Sequence, residues 1–157
     1  RLGQTSTTGD PEGEIMPYVA NSKSQNDTQA LSISKQPDIA VVKSVLAQFV
    51  GDIKQRPPTF SAIKINGQRA YKLARSGKKV DIPERTVTIY ALELLDYSYP
   101  LLKVRAHVSS GTYIRSLAVD VGEALGTGAY CQELRRTQIG DWQVSQTQKL
   151  ADFGVES

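Results

Sequence analysis

Arg115 is the side chain whose setting carries the most chemistry. It stands in Val108-Ser109-Ser110-Gly111-Thr112-Tyr113-Ile114-Arg115-Ser116-Leu117, where an alternating run gives way to a helical one. Gly111 permits a tight turn at that point, and Thr112 is the residue the pattern predicts as N-cap. Unpaired N–H groups at the helix start, with Arg115 one turn in, would face whatever sits off the end of the strand, a favourable address for an anion. The plainer reading is an ordinary turn with a surface arginine. A second candidate is the run from Lys54 to Val80. It holds eight basic residues (Lys54, Arg56, Lys64, Arg69, Lys72, Arg75, Lys78 and Lys79) and no acidic one. A third is Asp10 in Thr8-Gly9-Asp10-Pro11, an acid in a turn-forming loop that fits an Asx turn better than a nucleophile.

Other chemistries find little support. The chain of 157 residues has one cysteine, Cys131, and one histidine, His107, which excludes an internal disulfide and argues against a Cys/His metal site. His107 lies in an alternating run on the side of Lys103 and Arg105, a poor place for a hydrolytic triad. The glycines of Gly122-Glu123-Ala124-Leu125-Gly126-Thr127-Gly128 form neither a phosphate-binding loop nor a dinucleotide fingerprint. No spacing singles out a carboxylate pair. No apolar run is long enough to span a bilayer, and no signal-peptide pattern opens the chain. A reducing, cytoplasmic setting is the expectation. Arg1-Leu2-Gly3 reads as the end of a strand already under way, as in a chain cut from a longer one.

Composition is that of one globular domain, 39% hydrophobic and 22% charged. The net charge of +3 says less than its distribution. Outside the basic run, eleven basic residues stand against all sixteen acidic ones, so a cationic arm projects from a mildly acidic body, the footprint of polyanion binding.

The elements that must position these residues follow from periodicity. Residues 1–13 read as loop, 14–20 as a short edge strand interrupted by Pro17, and 21–36 as a polar loop. Pro37 suits the first position of a helix in which Val42, Val45, Leu46 and Phe49 share a face, with Gly51 ending it. Gln55-Arg56-Pro57-Pro58-Thr59 is rigid and extended. Residues 60–65 read as strand, Asn66-Gly67 as a turn, and 69–76 as a short helix stopped by Gly77. On that helix Arg69, Lys72 and either Arg75 or Ser76 share a face, with Tyr71 among the basic residues, suited to tracking a nucleic-acid backbone; a solvated basic face is the plainer alternative. Residues 86–97 and the run of Leu102, Val104, Ala106 and Val108 read as strands, 112–125 as helix, 126–128 as turn, 129–144 as broken strand, and 145–153 as a final turn or short helix. The fold class is α+β: a largely antiparallel mixed sheet with flanking helices, in one domain over 1–157, with 54–80 as its basic lobe.

Three stretches resemble one family. Leu2-Gly3 with Thr7-Thr8-Gly9-Asp10-Pro11-Glu12-Gly13-Glu14 is similar to the segment that follows the catalytic stretch of TruB-type tRNA pseudouridine synthases. The run from Gln55-Arg56-Pro57-Pro58 through Asn66-Gly67 to Ala70-Tyr71-Lys72-Leu73-Ala74-Arg75-Ser76-Gly77 resembles its second hallmark. Ser110 to Leu117, with Leu134-Arg135-Arg136-Thr137, resembles the third. The Asn-Gly-Gln-Arg-Ala-Tyr version is similar to the bacterial tRNA branch. The resemblance implies isomerisation of uridine 55 in the tRNA T-loop to pseudouridine, by base flipping and glycosidic bond rearrangement, with no cofactor and no metal. It implies that Arg115 pairs with and orients a nucleophilic aspartate, that Tyr113 lies on the active-site side of the turn, and that Leu134 lines the base pocket. Arg56, Lys64, Arg69, Tyr71, Lys72 and Arg75 would grip the T-arm. The expected partner is tRNA; no membrane and no protein partner is implied, and a monomer is the expectation. In the family the nucleophile and a base-stacking tyrosine lie upstream of the stretch that begins at Arg1, and an RNA-binding appendage lies beyond Ser157. The chain alone is therefore expected to be inactive, and Arg115 to face a carboxylate outside it. The alternative is a non-catalytic module that recognises a T-arm-like RNA.

Overall fold

The computed structural model describes residues 1–19, 36–58, 64–65, 67–69, 72, 75–77, 82–143 and 145. Among them the elements are β1 (Gln4–Ser6), β2 (Ile15–Pro17), α1 (Ile39–Gln48), β3 (Gly51–Gln55), β4 (Lys64–Ile65), β5 (Gln68–Arg69), β6 (Arg85–Ser98), β7 (Leu101–Val108), α2 (Ile114–Ala124), β8 (Gln138–Ile139) and β9 (Trp142–Gln143). Every pairing is antiparallel: β1 with β2, β4 with β5, β8 with β9, and a central sheet in the order β3-β6-β7. The class is α+β, and among the described residues the strands form four small sheets rather than one.

The centre follows from apolar spacing. Val42, Val45 and Leu46 of α1 and Leu117 and Val121 of α2 close over Ile89 of β6, which is fully buried. In β6 the inward apolar residues are Val87 and Ile89, then Leu92 and Leu94, then Tyr97, a period of two broken twice. The register against β7 slips at the same two places, between Ile89 and Ala91 and between Leu94 and Asp96. These slips leave Tyr90 and Leu95 as the extra residues. Each bulge restores the inward phase, and both extra side chains are exposed. At the start of α1 the Tyr97 hydroxyl donates to the Pro37 carbonyl oxygen at 2.7 Å.

Several local expectations change. The segment 1–13 is not all loop: Gln4–Ser6 forms β1, because the loop folds back and supplies Ile15–Pro17 as a partner. Pro37 precedes the helix, whose N-cap is Asp38. Gly51, at φ +115°, opens β3 two residues after the helix C-cap Phe49. The N-cap of α2 is Tyr113 and not Thr112, whose hydroxyl lies 3.2 Å from that of Ser109. Arg69 pairs in a strand with Lys64, while Lys72 and Arg75 are helical. In 129–144, Ala129 makes an isolated bridge to Leu2, residues 130–137 are irregular, and β8 and β9 form a short hairpin. The polar loop at 21–35, the strand residues 60–63, Asn66, Tyr71, and the final element beyond Ser145 lie outside the described residues.

Candidate active site at the strand-to-helix junction

β7 ends at Val108, Gly111 takes φ +81°, and α2 begins at Ile114, so the junction is the tight turn its glycine permits. Arg115 leaves the first turn of α2 and meets the loop between β1 and β2. Its Nη1 donates to Asp10 Oδ2 at 2.8 Å and lies 3.5 Å from the Thr8 carbonyl oxygen. The two side chains are only 25% and 19% exposed, so this ion pair is shielded as the surface pairs Arg56–Glu84 and Arg105–Glu93 are not.

The loop is shaped around the Asp10 carboxylate. Oδ1 accepts from the Thr8 hydroxyl at 2.6 Å and from the Glu12 N–H at 3.1 Å, the second contact being the Asx turn the sequence predicts. The Ser6 hydroxyl donates to the Asp10 carbonyl oxygen. Gly9, at φ +77°, brings its backbone against Arg115: a Cβ there would lie 3.4 Å from the Arg115 Cβ. The Gly9 carbonyl oxygen accepts from the Cys131 N–H at 2.9 Å, tying the loop to the segment after α2. Burial pushes the Asp10 carboxyl up. Hydrogen bonds from Thr8, Arg115 and Glu12, with the charge of Arg115, outweigh that and hold it below the usual carboxylate value. Burial raises the half-buried Cys131 thiol.

A carboxylate that accepts three hydrogen bonds is favoured in its ionised form and is fixed in orientation, and through those bonds it holds its neighbours in place. What it positions is a planar guanidinium at a helix start, a fixed cation suited to a carboxylate or a phosphate oxygen.

Tyr113 is half-buried, and its backbone is held by a residue to which the motif reading gave no role. Gln55, at the end of β3 and 1% exposed, accepts from the Tyr113 N–H at 3.0 Å through Oε1 and donates to the Tyr113 carbonyl oxygen at 3.1 Å through Nε2. Beside it the Ser116 hydroxyl donates to the Arg56 carbonyl oxygen at 3.1 Å. The root of the basic arm is thus joined to the first turn of α2. Within the arm, Gly67, Gln68, Arg69 and Lys72 line a shallow depression. Arg56, Arg69, Lys72 and Arg75 are exposed, and Lys64 sits in β4. Leu134 is 62% exposed in the irregular segment that follows Cys131. Among the described residues, no three His, Cys, Asp or Glu side chains gather as a metal site would need. No helix among them is long and apolar enough to cross a membrane.

Asp10 and Gln55 are the residues a sequence reading undervalues. The signal for Asp10 was its Thr-Gly-Asp-Pro loop, read correctly as a turn but not as the partner of Arg115. The carboxylate at Arg115 Nη1 belongs to this chain. Gln55 was read only as the first residue of the Gln55-Arg56-Pro57-Pro58 stretch, with no role of its own.

Comparison with known proteins places the chain in a family. Residues 1–114 match the TruB family pseudouridylate synthase N-terminal domain, and residues 115–155 match the tRNA pseudouridylate synthase B C-terminal domain. The tRNA pseudouridine synthase B of Francisella tularensis subsp. novicida (strain U112) is 44% identical over 164 residues, covering 99% of this chain and 49% of that protein. Its namesake from Francisella philomiragia subsp. philomiragia is 44% identical over 144 residues, covering 92% of this chain and 44% of that protein. The chain spans about half the length of the curated relatives it matches. A chain in the crystal structure of a Cbf5-Nop10-Gar1 complex aligns with TM-score 0.47 and 33% identity over 62% of this chain and 24% of its own. With family matches that run across both sides of the Arg115 junction, the chain belongs to the TruB family of pseudouridylate synthases.

Proposed function

We propose that the complete protein is a tRNA pseudouridine synthase, acting in the cytoplasm on uridine 55 of the T-loop, and that this chain supplies half of its active site and the basic lobe that grips the T-arm. The observation that carries the reading is the shielded Arg115–Asp10 pair, 2.8 Å long, at the start of α2. Asp10 fixes the guanidinium from one side. A nucleophilic aspartate on its other side would be kept ionised by the same cation, as an opposite charge lowers a carboxyl pKa. The target uridine is flipped from the loop stack, its N-glycosidic bond is broken, and the base turns and rejoins through carbon. Tyr113 stands beside Arg115 at the helix start, Leu134 provides apolar surface to the base, and no metal or cofactor is required. Arg56, Lys64, Arg69, Tyr71, Lys72 and Arg75 contact the T-arm through its phosphates and stacked bases.

The test is incubation of the complete protein with an unmodified tRNA transcript, followed by nucleotide-resolution mapping of pseudouridine. Conversion at the T-loop uridine, abolished by a transcript with a disrupted T-arm, is the expected result. Binding of T-arm RNA without conversion would leave a recognition module in place of an enzyme.

A further inference from the structure

Helix α2 starts without help from its own sequence. Its N-cap residue Tyr113 makes no side-chain cap, and no acidic residue lies in its first turn. The backbone groups at a helix start are orphans unless something supplies partners. Here the partner comes from 58 positions away. The amide of Gln55 brackets the Tyr113 residue, accepting from its N–H and donating to its carbonyl oxygen. That same carbonyl oxygen accepts the first helical bond, from the Leu117 N–H at 3.1 Å. Gln55 therefore fixes the orientation of the peptide from which α2 departs, and Arg115 follows two residues later. The amide is among the most deeply buried polar groups described, at 1% exposure, and both ends of it are satisfied. A buried glutamine with no partner of its own kind would be costly; one that pairs both ends with a single residue's backbone is a rigid bracket.

We propose that Gln55 is a positioning residue of the active site, holding the start of α2 so that the Arg115 guanidinium meets Asp10 and the reacting base in register. The proposal rests on the pseudouridine synthase reading for its catalytic consequence, but not for its structural one. Gln55 also opens the Gln55-Arg56-Pro57-Pro58 root of the basic arm, and the Ser116–Arg56 contact lies next to it. The bracket is thus the place where the RNA-gripping segment and the arginine are mechanically joined. Without the two hydrogen bonds the helix start is no longer fixed by Gln55, and a misplacement of about 1 Å at a reacting centre costs roughly a hundredfold in rate.

The experiment uses the complete protein with Gln55→Leu, which keeps the volume and removes both hydrogen bonds. Three quantities are read: the titration midpoint of the Asp10 carboxyl by carbon-detected NMR, turnover on a T-loop substrate, and affinity for T-arm RNA. The expected result is an Asp10 midpoint that moves up toward the ordinary carboxylate value, turnover lower by about a hundredfold, and a Kd within about threefold of wild type. In an Arg115→Lys background, Gln55→Leu is expected to cost less than about threefold more, because both changes spoil one interaction. An unchanged Asp10 midpoint, or losses that multiply independently in the double variant, would overturn the proposal. If Gln55→Leu does not fold, Gln55→Asn, which stays polar but falls one methylene short, is read by the same criteria. A wild-type protein that leaves uridine unconverted would sink the pseudouridine reading alone; the Asp10 midpoint would still decide the role of Gln55.

Discussion

Asp10 and Asp120 are two carboxyls pushed in opposite directions, and each makes a pH prediction. The Asp10 pKa lies below its unfolded value, so the stability from its pair with Arg115 is fully present above the unfolded pKa and is lost as pH falls through the folded one. Asp10→Asn should lower stability at pH 7 by about 1–2 kcal/mol. Thermal unfolding curves of wild type and variant should differ by a constant amount above about pH 5 and converge below about pH 4. Asp120, on α2, is raised by burial and then by Glu123. Its charged form disfavours the fold once pH exceeds the unfolded value. Asp120→Asn should therefore raise the Tm at pH 7, by about 1–3 °C, with the advantage vanishing below about pH 4. A shared pH signature for the two variants would contradict this account. At this scale Arg115 was legible because a glycine turn and a helix pattern framed it. Gln55 was not, since its partner Tyr113 lies across the fold and no local pattern encodes a contact of that span.

At the scale of elements, α2 is pinned at both ends. Gln55 holds its start, and Gly122 holds its end: the Gly122 carbonyl oxygen accepts from the Thr127 and Gly128 N–H groups, each at 3.0 Å. A Cβ on Gly122 would overlap the backbone of Gly128 and Ala129 and the Ala129 side chain. Ala129 in turn bridges to Leu2, so the contact carries the chain's first residues as well. Gly122→Ala should cost about 2–4 kcal/mol by denaturant unfolding, since neither backbone can yield without moving the other. Gly126→Ala, at φ +69° but in open space, should cost about 1 kcal/mol. Equal losses would mean that the close approach carries no weight. Helix α1 and strand β6 were readable from their apolar spacing, but the two bulges of β6 were not, because Tyr90 and Leu95 are themselves apolar and only the register against β7 shows them to be the extra residues. Strand β1 was not, because Gln4, Thr5 and Ser6 carry no apolar alternation and become a strand only through pairing with Ile15–Pro17.

Over the whole molecule, charge is segregated: the run from Lys54 to Val80 is wholly basic, while the remainder carries more acid than base. Binding through such a segment releases counterions. The affinity for T-arm RNA should fall with salt, and the log–log slope should shrink by about 1–2 when Arg69 and Lys72 are both changed to alanine. A slope near zero in wild type would rule out backbone-driven binding. The central claim, however, is that Arg115 is bound to a carboxylate network and not to a phosphate, and one comparison tests it most directly. Arg115→Lys keeps the charge but loses the planar fork that meets Asp10. Turnover on a T-loop tRNA and Kd for the same RNA should be measured together in the complete protein. The account predicts that turnover falls by at least about tenfold while Kd stays within about threefold. Equal losses in both would make Arg115 a phosphate contact and contradict it.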